Sequence, residues 1–146
     1  MFVRTAKAHW EGNLKEGQGK FELGSGLWAS SYSFHTRFDE EKSGSNPEEL
    51  LAAAHASCYA MALSFALEQA GYTPQAVNTT ATVHLAAVAG GFGITEILLE
   101  VKAKVPDIAE PLFLTIAQQA KVNCPISKAL SVKITLTSAR LLALHD

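Results

Sequence analysis

The sequence predicts an α+β fold in which antiparallel sheets pack around a long buried central helix, and three observations carry that prediction. Residues 50–67 put apolar or small side chains on every side of a helical wheel, the pattern of a helix enclosed by protein. Residues 77–85 and 97–105 alternate apolar with polar side chains in the two-residue period of a half-buried strand. The two segments are joined through AGGFG, a glycine cluster that lacks the strand-to-helix setting of a phosphate loop and suits a hairpin turn.

A chain of 146 residues has room for one compact domain with a real core, so residues 1–146 are expected to form a single domain. Apolar residues make up 48% and charged residues 18%, and so small a charged share points towards self-association. With a net charge of -2 and no run of lysine or arginine, the chain offers no basic face for nucleic acid. MFVRTAKAHWEG meets polar residues too early to hold the apolar centre of a secretory signal, so a cytoplasmic protein is expected. The 50–67 run approaches the length of a membrane span. However, His55, Ser57, Cys58 and Ser64 interrupt it and alanine dominates it, so a buried helix is expected and no membrane partner.

Taken in order, residues 2–10 and 20–23 form a hairpin around a turn at 12–19, and residues 31–38 alternate as a third strand. That strand sets Phe34 and Phe38 on one face and Arg37 on the other. A polar loop, 39–45, leads into the central helix. There Asn46 is the N-cap, Pro47 the first helical residue and Glu49 the third, a variant of the capping box. Gly71 ends the helix. The two alternating strands follow, then a helix from Pro111 to 122 with Leu112, Ile116 and Gln119 or Ala120 at helical spacing. Cys124-Pro125 interrupts it and starts a short helix, PISKAL, with Cys124 as N-cap; a last strand begins near Ser131.

Cys58 and Cys124 stand far apart in a chain without signs of export, so a permanent structural disulfide is not the default and reactive thiols are. Alone, Cys58 reads first as a small apolar filler, and Cys124 equally as a turn residue or as a thiol whose thiolate a helix N-terminus favours. Arg37 and Glu48, taken singly, read as a surface charge and an answer to the helix dipole. His9, His35, His55, His84 and His145 show no close metal-ligand spacing, and there is no Cys-x-x-Cys pair.

Taken together, NPEELLAAAHASCYAMALSFAL, the later NCPISKAL and TRF upstream closely resemble the OsmC/Ohr family of organic hydroperoxide peroxidases, over essentially the whole chain. TRF before the central helix looks more like the OsmC branch. The resemblance implies Cys58 as the peroxide-attacking thiol, Cys124 as the resolving thiol and Arg37 with Glu48 as polar partners. It also implies an intertwined homodimer with sites at the subunit interface, and a Cys58–Cys124 disulfide re-reduced by an external dithiol of lipoyl type. No metal, haem or other cofactor is required.

Chemistry fits those roles. Only the thiolate attacks an O–O bond efficiently, and an apolar helix disfavours it, so a cation is needed and a cation needs a counter-charge. Glu48 and Cys58 are ten residues apart on one helix, about 15 Å along its axis, which predicts that the partner subunit's helix supplies Glu48. Leu51, Met61 and Phe65 are expected to wall a pocket that favours bulky or fatty-acid hydroperoxides. Two other classes remain open at this point: a cysteine hydrolase or acyltransferase using Cys58 with His55 as base, and a passive carrier of apolar small molecules.

Overall fold

The computed structural model describes residues 1–144; His145, one of the five histidines weighed above, lies outside them. The chain divides into two compact units, Met1–Leu50 and the residues from Leu51 onward.

The first unit is a three-stranded antiparallel sheet of β1 (Ala6–Glu11), β2 (Gln18–Leu23) and β3 (Ala29–Tyr32), in the order β1-β2-β3. Trp10, Gly19 and Tyr32 lie side by side across it, and a Cβ on Gly19 would fall 2.6 Å from the Tyr32 ring and 2.7 Å from the Trp10 ring. Glycine at this position lets the two rings close over the middle strand.

The third strand is shorter than its alternation suggests. It stops at Tyr32, and Phe34–Phe38 forms a short helix, α1. Ser33 caps it: its Oγ accepts from the Thr36 amide (3.2 Å) while its own amide donates to Thr36 Oγ1 (2.8 Å). Phe34 and Phe38 are four residues apart, a spacing shared by one face of a strand and one face of a helix, so periodicity alone could not separate the two. Their rings pack at 4.9 Å.

The long helix α2, Pro47–Gln69, starts where its cap signals place it. Asn46 Oδ1 accepts from the Glu49 amide at 2.8 Å, and Asn46 Nδ2 donates to the Thr36 carbonyl at 2.9 Å, tying α2 to α1. The Glu49 carboxylate does not close a capping box; it accepts from Ser45 Oγ (2.8 Å). At the other end Gly71, at φ +93°, sits in a left-handed turn in which the Tyr72 amide reaches the Leu67 carbonyl and the Gly71 amide the Glu68 carbonyl.

The second unit holds β4 (Ala76–Val88), β5 (Gly91–Lys104), α3 (Glu110–Asn123), α4 (Pro125–Ala129) and β6 (Lys133–Leu141). β4 and β5 pair antiparallel through a tight hairpin, but β6 runs parallel to β5, so this sheet is mixed and not antiparallel throughout. A parallel neighbour requires a crossover, and α3 and α4 are that crossover. Ile97, Leu99, Val101 and Ala103 line the buried face of β5, as the alternation predicts. They share a core with Tyr59, Leu63 and Leu67 of α2 and with Phe113, Ile116, Ala117 and Ala120 of α3. The buried stripe of α3 thus runs through Phe113, whereas Leu112 is exposed.

Although α2 is apolar all round and long enough by composition to cross a membrane, only His55, Tyr59, Leu63 and Leu67, one stripe at four-residue spacing, are buried in this chain. The helix is central and apolar as expected, but a single copy covers one side of it.

Replacing Asn46 by Ala removes both bonds of the cap and is expected to cost about 1–2 kcal/mol in urea denaturation. Asn46→Asp, which keeps the acceptor and loses the donor, is expected to cost less.

Candidate active site

Arg37 stands on α1, not on a strand face opposite the phenylalanines, and its guanidinium carbon lies 5.2 Å from the centre of the Phe38 ring. Its Nε donates to both carboxylate oxygens of Glu48 (3.2 and 3.0 Å) and its Nη2 to Oε1 (2.7 Å), a two-pronged pair. The Glu48 side chain is 11% exposed and that of Arg37 35%, so the guanidinium is engaged and not out in bulk water. Its pKa is raised, first by the hydrogen bonds to Glu48, against an opposing desolvation, and then by the carboxylate's charge. Both members are set by backbone features: Ser33 caps the turn carrying Arg37, and Asn46 caps the turn carrying Glu48. Beside them opens an apolar hollow of about 280 Å³ lined by Trp10, Leu14, Tyr32, Phe34, Arg37 and Phe38.

In the second unit Cys58 and Cys124 come together as free thiols. Cys58 is half-buried on the flank of the α2 stripe; Cys124 is fully buried in the joint between α3 and α4, with φ -56° and ψ 126°. Burial raises the Cys58 pKa, the Ile126 backbone amide opposes that, and the Cys124 side chain, hydrogen-bonded to it, pushes it up again. The first turn of α4 therefore offers an amide to Cys58, where the sequence pointed to Cys124 as the beneficiary. Among the described residues of this unit, no cation figures in the influences on the Cys58 thiol.

Two hydrogen bonds from the buried stripe bracket Cys124. Tyr59 Oη donates to the Ala117 carbonyl on α3 (3.0 Å), and His55 Nε2 lies 2.8 Å from Ser127 Oγ on α4. Burial, and secondarily the charge of Cys124, raises the Tyr59 pKa; burial lowers that of His55, which favours the neutral imidazole. Leu51 is half-buried against the core, while Met61 and Phe65 are 76% and 62% exposed, so a pocket walled by them needs a second surface.

A family profile described as OsmC-like protein matches residues 39–138. Peroxiredoxin OsmC of Escherichia coli (strain K12) is 48% identical over 134 residues, covering 91% of this chain and 93% of that one. The chain belongs to the OsmC-like family.

Solved OsmC/Ohr structures share its fold. An organic hydroperoxide resistance protein OsmC from Legionella pneumophila superposes with a TM-score of 0.73 at 22% identity, covering 97% of this chain and 98% of that one. OhrB of Bacillus subtilis does so with 0.70 at 23% identity, covering 94% and 98%.

Of the residues singled out in this OsmC-like sequence, Arg37 meets Glu48 in one unit and Cys58 meets Cys124 in the other. Three further groups went unread: the Ile126 amide, Ser127, and the aromatic hollow around Phe34 and Trp10. A backbone amide carries no signature in sequence. The Ser-Phe-His-Thr capping signal was the clue that would have placed Phe34 on a helix. Among the described residues no group of three His, Cys, Asp or Glu gathers to hold a metal.

A double-mutant cycle of Arg37→Ala and Glu48→Ala is expected to give a coupling of about 1 kcal/mol, discounted for the part-exposed guanidinium and weakened by added salt.

Proposed function

We propose that this chain is a thiol peroxidase that reduces organic, fatty-acid-like hydroperoxides to alcohols through Cys58 and Cys124. The observation that carries this is the contact between the two thiols, which would leave a sulfenic acid on one beside a reductant on the other. The relatives named peroxiredoxin and organic hydroperoxide resistance protein support the reaction class.

The Cys58 thiolate attacks one peroxide oxygen. An S–O bond forms, the O–O bond breaks, and the alkoxide leaves, taking a proton to become the alcohol. Arg37 stabilises the thiolate and then the charge on the departing oxygen, while Glu48 holds the guanidinium in place. The Cys124 sulfur next attacks the sulfenic sulfur, forming the S–S bond and expelling hydroxide, which combines with the Cys124 proton as water. A dithiol, of lipoyl type, returns the disulfide to two thiols and is itself oxidised to a disulfide. Free thiols of this kind suit a reducing compartment such as the cytoplasm.

We take the chain as one domain working as a homodimer. The unbroken α2 helix separates Glu48 from Cys58 by about 15 Å of axial rise, so the Arg37–Glu48 pair is supplied by the second copy. Antiparallel packing on the open face of α2 then makes Leu51, Met61 and Phe65 pocket walls that favour bulky organic groups. A cysteine hydrolase is disfavoured because, among the described residues, the one side-chain hydrogen bond of its candidate base, His55, goes to Ser127.

Stopped-flow reduction of cumene hydroperoxide with dihydrolipoamide tests the chemistry. Cys58→Ser is expected to lose the reaction, while Cys124→Ser completes one oxidation and stalls. Mass spectrometry of the wild type after one equivalent should show the loss of two hydrogens and a Cys58–Cys124 link. Intact thiols would support a passive carrier instead.

Subunit mixing tests the shared site. Arg37→Ala alone is expected to lower turnover by about 10²-fold. Refolding equal amounts of Arg37→Ala and Cys58→Ser chains should recover about a quarter of wild-type activity, because half the dimers are mixed and one of their two sites is intact. No recovery would place Arg37 and Cys58 of the same chain together.

A further inference from the structure

His55 poses a problem of its own. It is fully buried on the α2 stripe between apolar neighbours, and its Nδ1 has no hydrogen-bond partner among the described residues. Burying an unsatisfied polar atom is unfavourable, and a leucine here would avoid that and fill similar space. The ring's other nitrogen is 2.8 Å from Ser127 Oγ, a side-chain to side-chain tie between α2 and the five-residue turn of α4 that stands beside the Ile126 amide's bond to Cys58. The less costly tautomer carries the proton on Nε2 and donates it to Ser127, leaving Nδ1 as an unpaired acceptor instead of an orphaned N–H.

The position of this bond gives it meaning. His55 precedes Cys58 by three residues on α2, and Ser127 follows Cys124 by three residues across Pro125. Ile126, whose amide bears on the Cys58 sulfur, is the residue next to Ser127. α4 is too short to be held by its own backbone bonds, so its attachment to α2 depends on such contacts.

We infer that His55 is a positioning residue, which through its hydrogen bond to Ser127 pins the α4 turn so that the Ile126 amide and the Cys124 thiol stay against Cys58. This builds on the peroxidase assignment for the thiols but concerns their alignment, which can be measured without any peroxide. The pin acts on two steps: it favours the Cys58 thiolate, and it keeps Cys124 within reach when the S–S bond closes.

The test compares full-length reduced wild type with Ser127→Ala, His55→Leu and His55→Gln. The glutamine amide can reach the place of Nε2. Alkylation of Cys58 by iodoacetamide at fixed neutral pH, followed by mass spectrometry, is expected to slow by about fivefold in Ser127→Ala and His55→Leu, the worth of one hydrogen bond. His55→Gln is expected to stay near wild type. Closure of the Cys58–Cys124 disulfide by diamide, which accepts the two electrons and is reduced to the hydrazine, should slow in the same two variants and recover in the third.

A purely structural role predicts the opposite sign, since loosening the fold exposes the thiol and speeds alkylation. Unchanged or faster alkylation and closure in a natively folded Ser127→Ala protein overturns the inference, and that variant decides alone if His55→Leu does not fold. Wild-type protein that closes its disulfide with diamide but consumes no peroxide would sink the peroxidase assignment and leave the positioning role standing.

Discussion

An anion on Cys58 is expensive where this chain has put it, and the roles proposed for Arg37 and Glu48 answer that cost. The thiol stands on the flank of an apolar helix, with burial as the largest influence on it and, among the described residues, the Ile126 backbone amide opposing that influence. The proposed chemistry therefore calls for a positive charge. Arginine supplies one that cannot be lost to deprotonation, and its fork of N–H groups can be fixed in direction by a carboxylate. The 11% exposure of the Glu48 side chain and the three short contacts to Arg37 mean that this orientation is set within its own unit.

The means of setting it are local. A two-turn stretch of chain, from Ser33 to Glu49, ties itself together through caps: Ser33 with Thr36, Asn46 with both Thr36 and Glu49, Ser45 with Glu49. Each bond satisfies a backbone or side-chain group that a helix end would otherwise leave to water. On the other side, the polar members of the α2 stripe, His55 and Tyr59, spend their hydrogen bonds on the segments before and after Cys124. Polar atoms in an otherwise apolar core thereby specify where one sulfur lies relative to another.

Much of this was legible in the residues. Asn46, Pro47 and Gly71 announce the ends of α2 because capping depends on side-chain chemistry and on φ, which are local properties. Cys124-Pro125 likewise marks the joint between α3 and α4. What stayed hidden was non-local or ambiguous in period. The Phe34–Phe38 spacing fits strand and helix equally, so α1 passed for the end of a strand and Arg37 was put opposite the rings it packs against. The direction of β6 relative to β5 depends on how a connection crosses the sheet, which alternation cannot report. The 3.6-residue wheel of α2 announced apolar surroundings without saying how many chains provide them.

The parallel pairing of β5 and β6 has one more consequence. Antiparallel neighbours can be linked by two residues, but parallel ones need the chain carried from one end of the sheet to the other, and here residues 105–132 make that journey with Cys124 on board. Cys124 thus rides on a bridge the sheet itself requires. An attempt to trim the protein to a smaller scaffold could shorten hairpins freely, but it could not delete this span without also dismantling the strand order, so shelter for one sulfur comes bundled with the architecture.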